Sequence, residues 1–358
     1  MQPWTGKSYA TLIGSMPHFD PDAAIDLVLG SAPHIPVWPQ LSTVKAEQMM
    51  IQFLEGLPGI QHEPGRVFVR CGSSGFDDEL VAFYEEYLEV DGATRDLEDS
   101  RFRMGLETGR TFHRFLERLR SLKPELAAVK GQVVGPFTLL AGLKDEGDRS
   151  ILYDERLQDV VVKHLAMKCK WQIRRLKTLE CPVIVFLDEP ALAGFGSSAF
   201  ISVARDLIDG LLKEVVEAIH GEGALAGIHI CANTDWSIPF ESGMDIINFD
   251  AYSYFERFAL YGEQFTEFIR AGGNVAWGIV PTSDPDLISR ETAENLARRW
   301  FEHIRELESP GVTIDRILNQ SLFTPSCGCG SLPEKTAERV LELTRDVSDT
   351  MQRHRQES

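Results

Sequence analysis

The stretch Pro182-Val183-Ile184-Val185-Phe186-Leu187-Asp188 decides the fold. It is a short, unbroken apolar run that ends on a carboxylate. A strand covered on both faces reads this way, whereas a strand with one wet face alternates. A loop rich in small residues follows over 189–200. Residues 202–220 then repeat apolar side chains at helical 3–4 spacing, and a second apolar run occupies 226–231. Strand, loop, helix and strand in that order make a βα unit of a parallel sheet.

The same alternation extends in both directions. Strands are expected at 10–15, 35–41, 129–134, 182–188, 226–231, 245–250, 274–280 and 318–324. Helical patterns cover 106–122, 157–178, 202–220, 294–307 and 333–349. Eight parallel strands with intervening helices predict an α/β fold of the (β/α)8 TIM-barrel type. The alternative is an open doubly wound sheet, which carries a Gly-rich phosphate loop after its first strand. Ile13-Gly14-Ser15-Met16-Pro17 lacks that form. One domain spanning 1–358 is expected, since such barrels exceed the usual domain size. A ninth strand, 66–71, falls in an insertion of about 43–125 after the second barrel strand. There Val67, Val69 and Cys71 share one face, and Arg66 and Arg70 face water, as in a hairpin. The acidic segment 77–103 belongs to the same insertion. Residues 187–200 read equally as a mobile active-site loop or an ordinary surface connection.

Composition narrows the partners. The net charge is −18, with 25% charged and 43% hydrophobic residues. A negative field repels nucleic acid and anionic membrane surfaces, so neither is an expected partner. No run reaches the ~18 apolar residues of a membrane span, and residues 1–7 lack the apolar core of a signal peptide. A cytoplasmic location is expected. The cysteines are Cys71, Cys169, Cys181, Cys231, Cys327 and Cys329. In a long cytosolic chain they read as reduced, metal-bound or buried.

His229-Ile230-Cys231 closes the fifth expected strand. Side chains two apart on a strand point the same way, so imidazole and thiolate can reach one ion. Cys327 sits just past the last strand, in Thr324-Pro325-Ser326-Cys327-Gly328-Cys329-Gly330. Residues at strand ends converge on the C-terminal rim of a barrel. Thiolates with an imidazole favour Zn2+ over magnesium or calcium, and three protein ligands leave a position for substrate. Asp250, at the end of the next strand, is a candidate oxygen ligand. Cys329 reads as an apolar filler, an alternative ligand or a redox partner of Cys327. A lone His-x-Cys is more often incidental or core. Strand-end placement and the distant Cys-Gly turn favour the metal.

Five segments together resemble the superfamily of cobalamin-independent methionine synthase, uroporphyrinogen decarboxylase and the corrinoid-dependent thiol methyltransferases. They are 13–17, 130–138 with its Gly135-Pro136-Phe137-Thr138, Leu187-Asp188-Glu189-Pro190-Ala191-Leu192, His229-Ile230-Cys231, and Pro325-Ser326-Cys327-Gly328. The resemblance implies a zinc-dependent methyltransferase with a thiol acceptor, homocysteine or similar. It implies that Ile13, Gly14 and Ser15 hold the carboxylate of an amino-acid thiol and that Asp188 holds its ammonium. It implies zinc ligation by His229, Cys231 and Cys327. The synthases carry a glutamate where this chain has Asp250. They carry a catalytic histidine after the strand at 274–280, where this chain reads Val280-Pro281-Thr282-Ser283. The 358 residues hold one barrel only, like the corrinoid-dependent enzymes. The implied methyl donor is therefore a methyl-corrinoid, free or carried by a protein, ahead of methyltetrahydrofolate.

The chemistry follows from thiol acidity. A free alkyl thiol is mostly protonated at neutral pH, and its thiolate is the nucleophile. A coordinating metal removes that proton. Asp188 and Glu189 end an apolar strand and are expected to serve catalysis or to brace the rim through an ion pair. Ser15 lines the mouth or caps its strand. His18 is a polar group at the mouth or merely solvated. Trp38 and Gln40 line the pocket near the end of the second strand, with core packing the alternative for Trp38. Two rival functions remain: a metal-free decarboxylase on the same fold, and a non-catalytic zinc or redox sensor using Cys327 and Cys329.

Overall fold

A computed structural model describes residues 4–357. Met1, Gln2 and Pro3, part of the segment read for a leader, lie outside the described residues. In chain order the strands are β1 (Tyr9–Ala10), β2 (Ser15–Met16), β3 (Gln40–Leu41), β4 (Ile60–Glu63), β5 (Arg66–Val69), β6 (Val129–Val134), β7 (Val183–Asp188), β8 (Leu225–Ile230), β9 (Ile246–Phe249), β10 (Asn274–Val280) and β11 (Ser321–Pro325). A seven-stranded sheet runs β1-β11-β10-β9-β8-β7-β6, and every pairing in it is parallel. The sheet curls, and helices cover its outer face. β2 and β3 pair in parallel on their own, and Val37 makes one parallel bridge to Lys130 of β6.

The expected strands at 10–15 and 35–41 are thus much shorter in the molecule. Pro36 and Pro39 have no amide proton to give to a ladder, which leaves Gln40–Leu41 as the paired remnant. Gly14 adopts φ +132°, so the chain leaves the extended region between β1 and β2. The last strand begins at Ser321 rather than 318. Leu318 belongs instead to the helix Ile314–Asn319, which Thr313 caps by accepting the Arg316 amide at 3.3 Å. β4 and β5 form the antiparallel hairpin expected for the insertion. Its solvent face is partly covered, because Phe68 is buried and the Arg66 guanidinium lies 3.9 Å over that ring.

Period-two alternation explains the sheet's two faces. Val183, Val185 and Leu187 of β7, Ile228 and Ile230 of β8, and Val275 and Trp277 of β10 join the large core beneath the helices. Ile184, Phe186, Ile246, Ala276 and Leu322, the alternate residues, pack with Ile35 and Ala128 in a second apolar cluster. That cluster lies on the concave side, toward the N-terminal ends of the strands. Continuing the same parity along β7 and β8 gives Asp188 and His229. The concave face therefore changes from apolar to polar as the strands rise.

The insertion is tied down by the helix Glu155–Leu176, which starts at Asp154, whose carboxylate accepts the Arg156 amide at 3.0 Å. From its buried face His164 Nε2 meets the Phe53 carbonyl at 2.8 Å, and Lys168 Nζ donates to the Arg103 carbonyl at 2.7 Å. No helix among the described residues is long and apolar enough to cross a membrane.

Candidate metal centre and substrate cavity

Asp188 and His229 are register partners at the upper ends of β7 and β8. Cys231 follows His229 by two residues and shares its side. Cys327 arrives from the turn after β11. The candidate ligand atoms of His229, Cys231 and Cys327 all lie within 4.8 Å of one another. His229 Nε2 is buried and has no hydrogen-bond partner, while Nδ1 pairs with Asn248 Oδ1. Leaving such a nitrogen unsatisfied costs about 1–3 kcal/mol. An orphaned ring nitrogen beside two thiols is the donor set of a zinc-type ion, and the residues fit one.

Without an ion the two thiols do not ionise alike. The hydrogen bond from Cys327, together with the His229 ring, holds Cys231 well below the usual thiol range. Its hydrogen bond to Cys231, together with burial, pushes Cys327 up. Burial alone pushes the Cys329 thiol up to about 12, and it packs in the core. All six cysteines are free thiols.

The three donors wall a cavity of about 340 Å3 shared with Ile13, Ser15, Gln40, Met49 and Asp188. A larger hollow of about 580 Å3 lies near the lower strand ends beside Trp4, Leu225 and Asn274. Its lining has neither thiol nor imidazole, so the smaller one is the candidate site. Asp188 is 4% exposed, and its Oδ1 is buried without a partner. Burial pushes its carboxyl up to about 6, opposed by the charge of Lys130. Lys130 is fully buried below, donating to the Ile13 carbonyl at 2.9 Å, and burial brings it down to about 8. Gln40 Nε2 donates to Gln52 Oε1 at 2.8 Å, and Gln52 Nε2 donates to the Thr108 carbonyl at 2.6 Å. A backbone carbonyl only accepts, so this chain fixes both amides and leaves the Gln40 oxygen free of protein donors.

The structure thus brings Ile13, Ser15, Gln40, Asp188, His229, Cys231 and Cys327 together. Five other sequence-expected residues stand apart from the cavity lining. Trp38 is fully buried, donating to Gln172 Oε1 at 3.2 Å and meeting Phe112 edge-on. His18 pairs with Glu338 at 3.7 Å. Asp250 accepts the Ser253 amide at 2.8 Å as the N-cap of helix Ala251–Ala259, and it is outside the donor cluster. Glu189 is wholly buried, and its carboxylate accepts from the Phe137 amide at 2.9 Å and from the Thr138 amide and hydroxyl at 2.8 and 2.6 Å. Burial pushes it up to about 7 against these hydrogen bonds. Gly14 contributes backbone: its carbonyl accepts the Gln40 amide at 2.8 Å.

No protein-family model matches the chain, and no curated protein matches its sequence. Solved structures do align. One is a Listeria monocytogenes protein provisionally assigned as a vitamin-B12-independent methionine synthase. The TM-score is 0.55 at 12% identity, over 98% of each chain. Another is the pneumococcal virulence factor StrH, studied for N-glycan recognition and hydrolysis. It aligns with a TM-score of 0.51 at 10% identity, over 98% of this chain and 84% of that one. At these identities the likeness is one of fold, and function must be argued from the site.

Sequence reading missed Lys130, Gln132, Ser42 and Asn248. Ser42 Oγ donates to the Gly330 carbonyl at 2.6 Å, which fastens the Cys-Gly turn to the end of β3. For Asn248 a signal was present: one polar residue inside the apolar run Ile246-Ile247-Asn248-Phe249.

Proposed function

We propose that this chain is a zinc-dependent S-methyltransferase that moves a methyl group from a methyl-corrinoid or methylfolate donor to a thiol such as homocysteine. In this reading the first two chain segments complete a closed (β/α)8 barrel, one domain spans the chain, and the enzyme works in the cytoplasm. The observation that carries it is a cluster of a His229 ring nitrogen and two thiol sulfurs, all within 4.8 Å of one another on the wall of a cavity, with the buried Nε2 of that ring unpartnered.

His229, Cys231 and Cys327 would hold the ion. When bound, zinc would supply Lewis acidity that lets a thiol deprotonate at neutral pH. The chain's own residues do the rest. Asp188 lines the cavity, and its carboxylate, which has no cation bonded to it, would take an ammonium group there. The freed oxygen of Gln40 offers a second acceptor on the same wall. Ile13 and Met49 present apolar surface that holds the carbon chain and excludes water, which raises the worth of each polar contact. Lys130 beneath keeps Asp188 ionised near neutrality. Holding sulfur and methyl carbon in line is then the main kinetic contribution. Glu189 braces the scaffold in this reading and takes no part in the chemistry.

The test is elemental analysis of protein purified without added metal, followed by thioether formation from homocysteine and methylcobalamin. About one zinc per chain and zinc-dependent thioether support the reading. Metal-free protein that still binds the thiol overturns it.

A further inference from the structure

We infer that Asn248 is the positioning residue of the metal centre: its side-chain amide fixes which nitrogen of His229 is offered to the ion and ties the strand of His229 to the strand that leads to Cys327. The inference rests on the metal-binding reading above.

The geometry leaves one arrangement. Asn248 Nδ2 lies 2.7 Å from the Ala276 carbonyl and 2.8 Å from Thr324 Oγ1. The carbonyl can only accept, so the amide nitrogen must be the atom that faces it. The amide oxygen is then the atom that faces His229 Nδ1. An amide oxygen only accepts, so Nδ1 carries a proton, and Nε2 is the nitrogen whose lone pair an ion can take. That nitrogen is the one left buried without a partner beside Cys231 and Cys327. Asn248, Ala276 and Thr324 are fully buried, so no water substitutes for these contacts at the surface.

The four residues lie on four neighbouring strands, β8, β9, β10 and β11. His229 is the register partner of Asn248, and Asn248 that of Ala276. Thr324 comes three residues before Cys327. One amide thus links the element carrying two ligands to the element carrying the third. Leucine at 248 keeps the branched shape, with added bulk, and loses all three hydrogen bonds. The ring is then free to rotate or to change tautomer, and a ligand that must first be ordered binds more weakly.

The test uses wild-type and Asn248→Leu protein stripped by a chelator and titrated with Co(II) and with Zn(II) against a competing dye. Thermal unfolding of the stripped proteins reports folding. The expected result is a loss of about 10–100-fold in affinity for both ions, with altered Co(II) absorption bands and a folded stripped protein. Asn248→Asp, which keeps an acceptor for Nδ1, should recover part of the loss. Wild-type affinity and an unchanged Co(II) spectrum in folded Asn248→Leu overturn the inference while leaving the metal reading intact. A wild-type chain that binds neither ion overturns both. Should the leucine variant not fold, the tautomer is read directly in zinc-loaded wild type by long-range 1H–15N correlation of the histidine ring. Protonated Nδ1 with metal-bound Nε2 supports the assignment, and the reverse pattern ends it.

Discussion

Glu189 accepts both the amide and the hydroxyl proton of Thr138, at 2.8 and 2.6 Å, across the chain from Gly135. A methyl group at Gly135 would overlap the glutamate side chain, and Pro136 begins the helix without an amide proton to satisfy. The Gly-Pro-x-Thr and Asp-Glu-Pro segments are therefore two halves of one joint, an anion seated on a helix start. We expect Glu189→Ala to lower stability by about 3 kcal/mol, because it strands buried donors. Zinc content per folded chain should not change. Urea unfolding and elemental analysis check both. Unaltered stability with lost turnover would return Glu189 to the chemistry.

The donor cluster makes an asymmetric forecast for its neighbours. Cys231→Ser and Cys327→Ser should each lose zinc on dialysis against a mild chelator. Asp250→Asn should retain it, since that carboxylate is engaged at the start of helix Ala251–Ala259. Asp250→Ala should cost about 1 kcal/mol as a lost helix cap. Zinc loss in the Asp250→Asn variant would place Asp250 among the ligands.

What the sequence carried can be traced residue by residue. β7 and β8 were legible because an unbroken apolar run ending on a polar residue has few other readings. His229 and Cys231 were legible because strand parity puts them on one side without any knowledge of neighbours. The first two strands were not, because prolines and a left-handed glycine break the ladder that periodicity assumes. Asp250 just past the end of β9 and Asn248 inside it both read as isolated polar residues on an apolar run. Only the packing shows that the first turns toward Ser253 and the second toward His229. Lys130 was unreadable for a related reason: its burial depends on Ile13, Gln132 and Phe186, which three separate segments supply.

Asp188 yields a comparison between substrates. Its unpaired oxygen is satisfied by an ammonium group and gains nothing from a plain alkyl thiol. Asp188→Asn should weaken homocysteine by about 10–100-fold, the worth of one charged hydrogen bond. Binding of propanethiol should change little. Calorimetric titration of both thiols into zinc-loaded protein decides it. Equal losses would mean that Asp188 only braces the rim.

Lys168 predicts how the insertion's anchorage responds to pH. Burial brings its ammonium from 10.5 down to about 7, opposed by Glu55. Between those values the folded chain binds fewer protons than the unfolded one, so its stability rises with pH across that window. Below 7 both states are charged, and the burial penalty is present in full. Relative to Lys168→Met, the wild type should gain up to about 1.4 kcal/mol per pH unit from 7 upward. Urea midpoints at pH 7, 8 and 9 for the two proteins measure this. Parallel curves would show that Lys168 titrates as it does in the unfolded chain.

The methyl donor is the sharpest test of the proposed function. A corrinoid methyl leaves behind cobalt(I), a stable anion that takes no proton. A folate methyl leaves from nitrogen, and that nitrogen must be protonated as it departs. By the resemblance to the synthases, the loop after β10 is where a histidine is expected to do this. It instead carries Thr282, whose hydroxyl is paired with Ser326 Oγ at 2.9 Å. A hydroxyl is far too weak an acid for that role. The titratable side chains lining the cavity are Asp188, His229, Cys231 and Cys327, and the proposal already employs all four. Methylcobalamin, or a methylated corrinoid protein, should therefore give faster thioether formation than methyltetrahydrofolate at equal concentration. Each donor is supplied with homocysteine, and the product is followed by mass spectrometry. Turnover with the folate and none with the corrinoid would reverse the assignment. Asp188, held up near 6, would then be the first residue to examine as the missing acid.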